Sequence, residues 1–229
     1  VKTVVFDIET VSRPWLELDP LQRERLVRYS EDHEDFLRRK EGGALSPYAG
    51  KVIVIAMQNP ETGKGVVWYE AAERQDAKSE DGLFDLVGCP EKDMLAEFWA
   101  AASKFDRFVT FNGRTFDGPF LSVRSAIHGL TPSKNLLGYR YSMETHVDLL
   151  EILTFQGAVS RDQTPTLHAA CVAFGIPSPK SEEMHGYAVG DAYREGRLAE
   201  VAAYCRRDVE ATAALFKRLE TTLLPLFKR

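Results

Sequence analysis

Asp7 and Glu9 stand two residues apart in the segment FDIET, Phe6 to Thr10. The β-branched run around them, Lys2 to Ile8, predicts a buried strand with this pair at its end. Alternate residues of a strand share a face, so both carboxylates converge on one side of a sheet. Two acids on a buried strand are costly without compensation, and a divalent cation that favours oxygen ligands, Mg²⁺ or Mn²⁺, is the simplest one. The plain alternative is a turn-capping Asp7 with Glu9 facing water. Asp117 follows a strand and loop that contain Asn112, FNGRTF, at the start of a helix, where an acid also serves as a cap. Asn112 in turn fits an ordinary strand-ending turn. Tyr204 and Asp208 are four apart on one helix face, beside its apolar stripe, so a phenol and a carboxylate either edge a cleft or decorate a helix margin.

The elements that position these residues are legible to different degrees. Lys51 to Met57 reads as a second strand, and Gly65 to Tyr69, after a turn at Asn59, Pro60 and Gly63, completes a hairpin. Residues 20–40 are charged with scattered apolar positions and read as one or two exposed helices in an insertion at about 12–45, closed by Gly42 and Gly43. Residues 70–88 are polar and read as loop. Pro90 opens a helix with an apolar stripe at Met94, Leu95, Phe98, Trp99 and Ala102. Arg107 to Phe111 is a strand, and Pro119 starts a helix to about His128. Thr145 to Leu150 is a short strand or a strand–helix junction. Thr164 is the expected cap of a helix that Gly175 ends. The last helix is the most regular, with Leu198, Val201, Cys205, Val209, Thr212, Phe216 and Leu219 at three/four spacing. A hairpin followed by alternating helices and strands predicts an α/β fold with a mixed sheet, and a length of 229 residues without repeats or low-complexity linkers predicts a single domain, 1–229.

Composition narrows the function. With 44% hydrophobic and 28% charged residues the chain is ordinary for a globular protein. A net charge of −5 excludes a generic polyanion binder that works by counterion release, so nucleic acid would have to be held through local contacts. Cys89, Cys171 and Cys205 form no C-x-x-C pair, which argues against a disulfide framework or a zinc site and fits a reducing, cytoplasmic setting. No stretch has the roughly 20 apolar residues of a membrane span, and no secretory signal or membrane association is expected.

Taken together, FDIET, the stretch Asn112 to Asp117 and YCRRD at 204–208 fall in the order of three motifs, D-x-E, N-x-x-x-[FY]-D and Y-x-x-x-D. In this the chain resembles the DEDD exonuclease superfamily in its tyrosine-bearing (DEDDy) branch. The histidine-bearing branch would need His where this chain has Ala203. It looks most similar to bacterial stand-alone exonucleases related to the proofreading domain of B-family DNA polymerases, with softer similarity in ALSPYAGKVIVIAM, HVDLL at 146–150 and LHAACVAFGIPSPK at 167–180. The resemblance implies an RNase H-like fold and 3′–5′ hydrolysis of the terminal phosphodiester of nucleic acid, with release of nucleoside 5′-monophosphates. It implies two divalent ions, Mg²⁺ or Mn²⁺, about 4 Å apart, held by Asp7, Glu9, Asp117 and Asp208. By the family's pattern Asp7 bridges both ions. Glu9 and Asp208 complete the site of the ion that carries the attacking water, and Asp117 supports the second through water. Tyr204 orients that water; with a free phenol pKa near 10, orientation is favoured over simple base catalysis. The implied partner is a nucleic-acid 3′ end, single-stranded DNA favoured and RNA admitted, with room for a protein partner that supplies the substrate.

Substrate contacts fall to Thr10, to Asn112 on the sugar-phosphate and to Phe116 stacked on a base, each with a core or turn role as the alternative. Arg114, Arg140, Arg206 and Arg207 are scattered basic candidates, and the arginines of 20–40 are diluted by acids. None of the five histidines has a paired ligand spacing; His146 and Asp148 alternate on a strand and read as structural or as support for the site. Cys205 lies on the apolar stripe and reads as packing. Two other functions compete. A haloacid-dehalogenase-like phosphatase would use a strand-end D-x-D, but this chain has Glu9, offers only Gly190-Asp191 as a later acidic match and leaves Tyr204 and Asp208 unexplained. A retired exonuclease fold that only binds nucleic acid or a partner would have lost ligands, and all four acids are present.

Overall fold

In a computed structural model, which describes residues 1–179 and 188–227, the first strand runs farther than its apolar run predicts. β1 spans Thr3–Ser12, so Asp7 and Glu9 lie within it and not at its end. Its continuation is fixed by antiparallel pairing to β2 (Gly50–Gln58), with partners from Val5↔Gln58 to Ser12↔Gly50. Glu9 pairs Val54 and Thr10 pairs Val52, so β2 carries one extra residue, Ile53. This bulge leaves the alternation of β1 intact while turning both Ile53 and Val54 to the same side. Phe6 and Ile8 therefore join the core on one face of the sheet, and Val5 and Val11 join the core on the other. Asp7 and Glu9 share the second face.

β3 (Gly65–Glu70) pairs β2 as the expected hairpin. The stretch read as loop at 70–88 instead holds β4 (Gln75–Lys78) and β5 (Phe84–Cys89). β5 pairs β3 in parallel and β4 antiparallel. All four β4 residues are exposed, so this edge strand has no apolar alternation to read; Lys78 and Asp85 pair across its register at 2.9 Å. β6 (Arg107–Thr110) and β7 (His146–Asp148) add in parallel beside β1. The sheet is mixed and seven-stranded, in the order β4-β5-β3-β2-β1-β6-β7.

Helices cover both faces. Residues between β1 and β2 form a 3₁₀ turn at Trp15–Glu17, α1 (Pro20–Val27), α2 (His33–Glu41) and a 3₁₀ turn at Gly42–Leu45. α3 (Glu91–Ala102) and α4 (Asp117–Ile127) pack their apolar residues with Phe6 and Ile8. α4 begins two residues ahead of Pro119, which sits in the first turn where its missing N–H costs nothing. α5 (Leu149–Leu153) follows β7 directly. α6 (Leu167–Ala173) is capped by Thr166, not Thr164, because the Thr166 hydroxyl accepts from the amide of Ala169 at 3.2 Å. α7 (Val189–Arg194) precedes α8 (Leu198–Thr222), whose stripe of Val201, Cys205, Val209, Phe216 and Leu219 is buried on the Val5 face. No helix among the described residues is long and apolar enough to cross a membrane.

Candidate active site

The second face of β1 and the first half of α8 bring the predicted acids together. Asp7, Glu9 and Cys205 present ligand atoms that all lie within 4.8 Å of one another. Asp117 enters from the start of α4. Its Oδ1 accepts the Ile8 amide at 3.1 Å, a donor left over because the β1–β6 pairing stops at Val5↔Val109. Its side chain is therefore a tie between α4 and β1 and not a plain helix cap. Tyr204 and Asp208 are nearly buried on α8 and hydrogen-bond to each other.

The loop that delivers Asp117 is held from below. Asn112 adopts φ 67°, a left-handed conformation that Asn tolerates. At Gly113 a Cβ would fall 2.6 Å from the Thr110 Cβ, so the next position has room for hydrogen only. Asp148, buried at the end of β7, accepts from the amides of Asn112 at 2.8 Å, Arg114 at 2.9 Å and Leu150 at 3.0 Å. His146 meets the Thr110 hydroxyl at 2.7 Å, and burial holds its pKa down to about 3, so it supports the loop as a neutral ring. Sequence reasoning placed this pair as structural or supporting without finding the three amides. The signal was an acid beginning a helix after a short strand.

The electrostatics of the acid set run one way. Burial, then Asp117, Asp208 and Glu9, raise the Asp7 pKa well above the carboxylate range. Burial, then Asp208 and Asp117, do the same to Glu9. Asp117 is raised to about 7, first by burial, against the opposing pull of its amide hydrogen bonds. Among the described residues no lysine or arginine pairs with Asp7, Glu9 or Asp117. Burial, with the surrounding acids, also pushes the Tyr204 phenol far above its ordinary value and keeps the Cys205 thiol protonated. The Cys205 Sγ donates toward the Asp7 Oδ2 at 3.5 Å and carbonyl at 3.6 Å, a contact that a packing role alone did not predict. The set thus offers oxygens crowded by like charge, which fits a hard divalent cation and not a thiolate-preferring one.

Asp7, Glu9, Tyr204 and Asp208 line a cleft of about 1210 Å³, while Asp117 and Cys205 lie outside its lining. Thr10, Asn112 and Phe116 line it as well, and the Thr10 hydroxyl donates to the Ala44 carbonyl at 2.7 Å. The Asn112 Oδ1 accepts from Thr115 at 2.7 Å, and Phe116 packs its ring 5.4 Å from Phe120. The basic candidates are placed differently. Arg114 is buried, donating to the carbonyls of Leu137 at 2.6 Å and His146 at 3.1 Å and pairing with Glu151 at 2.9 Å, so it is a bracket for the loop and not a substrate contact. Arg206 pairs with Asp81 and with Glu210 at 2.9 Å, and Arg207 donates to the Pro179 carbonyl at 3.1 Å. Arg140 is exposed beside Tyr141. Asp191 is exposed, pairs with Arg194 and is not among the residues that line the cleft, so it offers a phosphatase reading no later acid there. His185, and Lys180 at the end of the segment 167–180, lie outside the described residues.

A family model described as "Predicted 3'-5' exonuclease related to the exonuclease domain of PolB" matches residues 64–223. The match includes Asn112, Asp117, Tyr204 and Asp208 but stops short of Asp7 and Glu9, which join them only in space. The solved family B DNA polymerase from the hyperthermophilic archaeon Pyrobaculum calidifontis is similar in fold, with a TM-score of 0.59 and 16% identity over 95% of this chain. The chain spans 24% of that polymerase. The mixed sheet flanked by helices is thus the RNase H-like arrangement of such exonuclease domains. No curated protein matches the chain.

Proposed function

The chain belongs to the family of predicted 3′–5′ exonucleases related to the exonuclease domain of PolB, and on that premise we propose that it is a single exonuclease domain of the DEDDy type. It hydrolyses the 3′-terminal phosphodiester of nucleic acid, single-stranded DNA in the first place, and releases nucleoside 5′-monophosphates. The observation that carries this reading is the convergence of Asp7, Glu9, Tyr204 and Asp208 in one cleft, with Asp117 buried close enough to raise Asp7 and Glu9 and no basic partner for these three acids among the described residues.

Asp7, Glu9, Asp117 and Asp208 would hold two divalent ions, Mg²⁺ or Mn²⁺. Such ions supply Lewis acidity, which acidifies water and offsets the charge of the phosphate. The chain's own residues do the rest. Mutual repulsion among the acids is relieved by a bound proton or by a cation that displaces it, so the site is set to take up positive charge. Asp117 keeps its place through the Ile8 amide, and the Asp148 bracket fixes the loop before it. Tyr204 remains a neutral phenol, so it acts as an O–H donor that orients the attacking water or a phosphate oxygen, not as a base. Thr10 and Asn112 offer polar contacts to the terminal nucleotide, and Phe116 offers a ring face.

The test is a gel assay on 5′-labelled single-stranded DNA and RNA of one sequence, with Mg²⁺, Mn²⁺ or EDTA and with Asp208→Ala as control. A ladder shortening from the 3′ end, lost with EDTA and in the variant, is expected, with DNA degraded faster. No shortening of either strand with either metal would return the chain to the retired-fold reading.

A further inference from the structure

The cleft exceeds the roughly 300–1,000 Å³ of a site for one small ligand, so it has room for more than the terminal nucleotide. About a third of its lining comes from the segment between β1 and β2, including Trp15, Leu37, Lys40 and Leu45. This segment lies outside the residues that the family model matches. The Trp15 ring is held in place from behind: Phe36 meets it edge-on at 6.1 Å and 67°, and His33 stacks on Phe36 at 6.3 Å. The Lys40 ammonium sits 5.5 Å from the Trp15 ring centroid.

Charge singles out the same place. Among the described residues five lysines and arginines line the cleft: Arg13, Arg38, Lys40, Lys51 and Arg194. Arg13 pairs with Glu17 at 3.5 Å, Arg38 with Asp35, Lys51 with Glu70 at 2.8 Å and Arg194 with Glu41 at 2.8 Å. Lys40 has no carboxylate partner among the described residues, and the Trp15 indole N–H has no acceptor there. An aromatic ring beside an ammonium that rests over it and has no carboxylate partner among the described residues meets the two recurrent needs of a single strand, a surface for a base and a counter-charge for the phosphate next to it.

We propose that Trp15 and Lys40 form a subsite for a nucleotide upstream of the 3′ end: the base stacks on Trp15, and the adjoining phosphate meets the Lys40 ammonium and the Trp15 indole N–H. The subsite rests on the nucleic-acid reading above and adds a selectivity to it. Every base has a π-face, so the contact ignores sequence, but that face is free only in an unpaired strand. The preference for single strands then resides in the insertion and not in the acid set.

The experiment has two arms. In EDTA, fluorescence anisotropy follows binding of an oligothymidylate of about a dozen nucleotides carrying a 5′ fluorophore, across a salt series. With Mn²⁺, kcat and KM are compared for that oligonucleotide and for the p-nitrophenyl ester of thymidine 5′-monophosphate, which has no upstream nucleotide. Trp15→Ala is expected to weaken oligonucleotide binding about tenfold, in the range of one lost stacked base, and Trp15→Phe to retain most of it. The loss should appear in KM, and the ratio of kcat/KM for the oligonucleotide to that for the ester should fall about tenfold. Lys40→Gln should reduce the slope of log K against log salt by about 0.7, one phosphate contact on a single strand. The Lys40 slope decides the matter if Trp15→Ala proves unfolded by its melting curve. Wild-type affinity in a folded Trp15→Ala variant, an unchanged Lys40→Gln slope, or no oligonucleotide binding by the wild type would overturn the subsite. If the exonuclease reading alone is wrong, neither substrate turns over, yet the anisotropy arm still reports on Trp15 and Lys40.

Discussion

Buried carboxylates occur on both faces of the sheet, and they behave in opposite ways. On the α3–α4 face, Glu91 accepts from Arg124 at 2.9 and 2.6 Å, from His128 at 2.9 Å and from the Val52 amide at 2.8 Å. Burial would raise its pKa, but these partners outweigh it and hold Glu91 below the usual carboxylate value. Asp7, Glu9 and Asp117 are buried without a basic partner among the described residues; the Ile8 amide on Asp117 and the Cys205 thiol on Asp7 do not offset burial and the neighbouring negative charge, so all three are raised. The first group is a completed ion pair that joins α3, α4 and β2. The second is a charge set that the fold leaves uncompensated. Burial alone does not mark a functional acid; burial without a partner does.

The contrast breaks most clearly at Asp7. Asp7→Ala should lower exonuclease turnover by about 10³-fold or more, the scale of removing preorganised transition-state charge stabilisation, with the fold retained by circular dichroism. Glu91→Gln should do the reverse. It leaves the Arg124 guanidinium buried beside a neutral partner and should cost about 3–5 kcal/mol in denaturant unfolding, while Mn²⁺ binding persists. Tyr204→Phe should slow turnover by about 10–100-fold with little loss of metal affinity. The pH–rate profile should keep its shape, since Tyr204 does not ionise in the working range.

The smallest effect concerns stability against pH in EDTA. Asp117 has a folded pKa of about 7 against 3.8 for the free group. Between those values the folded state holds a proton that the unfolded chain has released, so stability is highest below pH 4 on this account and falls as pH rises to about 7. Asp117→Asn removes that slope and should melt higher than the wild type at pH 8 without metal, provided the amide keeps the Ile8 contact. Saturating Mn²⁺ should reverse the order, because only the wild type retains the full ligand set.

The acids and Tyr204 were legible only together: strand alternation, helix spacing and a helix-opening position each left a plain structural alternative, and it was the order of the three motifs, D-x-E, N-x-x-x-[FY]-D and Y-x-x-x-D, with the resemblance they carry, that singled these residues out. Asp148 was half legible, since a cap is visible but the three amides it gathers come from two separate segments. β4 escaped notice because an edge strand exposed on both sides has no apolar period. Arg114 looked like a surface contact because sequence gives no sign that Leu137, His146 and Glu151 close over it. Trp15 and Lys40 were illegible as a pair, because α1 intervenes and only the packing of α2, which carries Lys40, brings the ammonium to the ring.

The most direct measurement is calorimetric titration of Mn²⁺ into the wild type and Asp7→Ala at pH 6 and pH 8. Binding of two ions by the wild type is expected, tighter at pH 8 and accompanied by proton release, because the raised carboxylates must ionise to bind. Asp7→Ala should lose this binding at both pH values. Equal affinity at the two pH values, or an Asp7→Ala variant that binds Mn²⁺ as the wild type does, would contradict the assignment of the uncompensated acids as the metal centre.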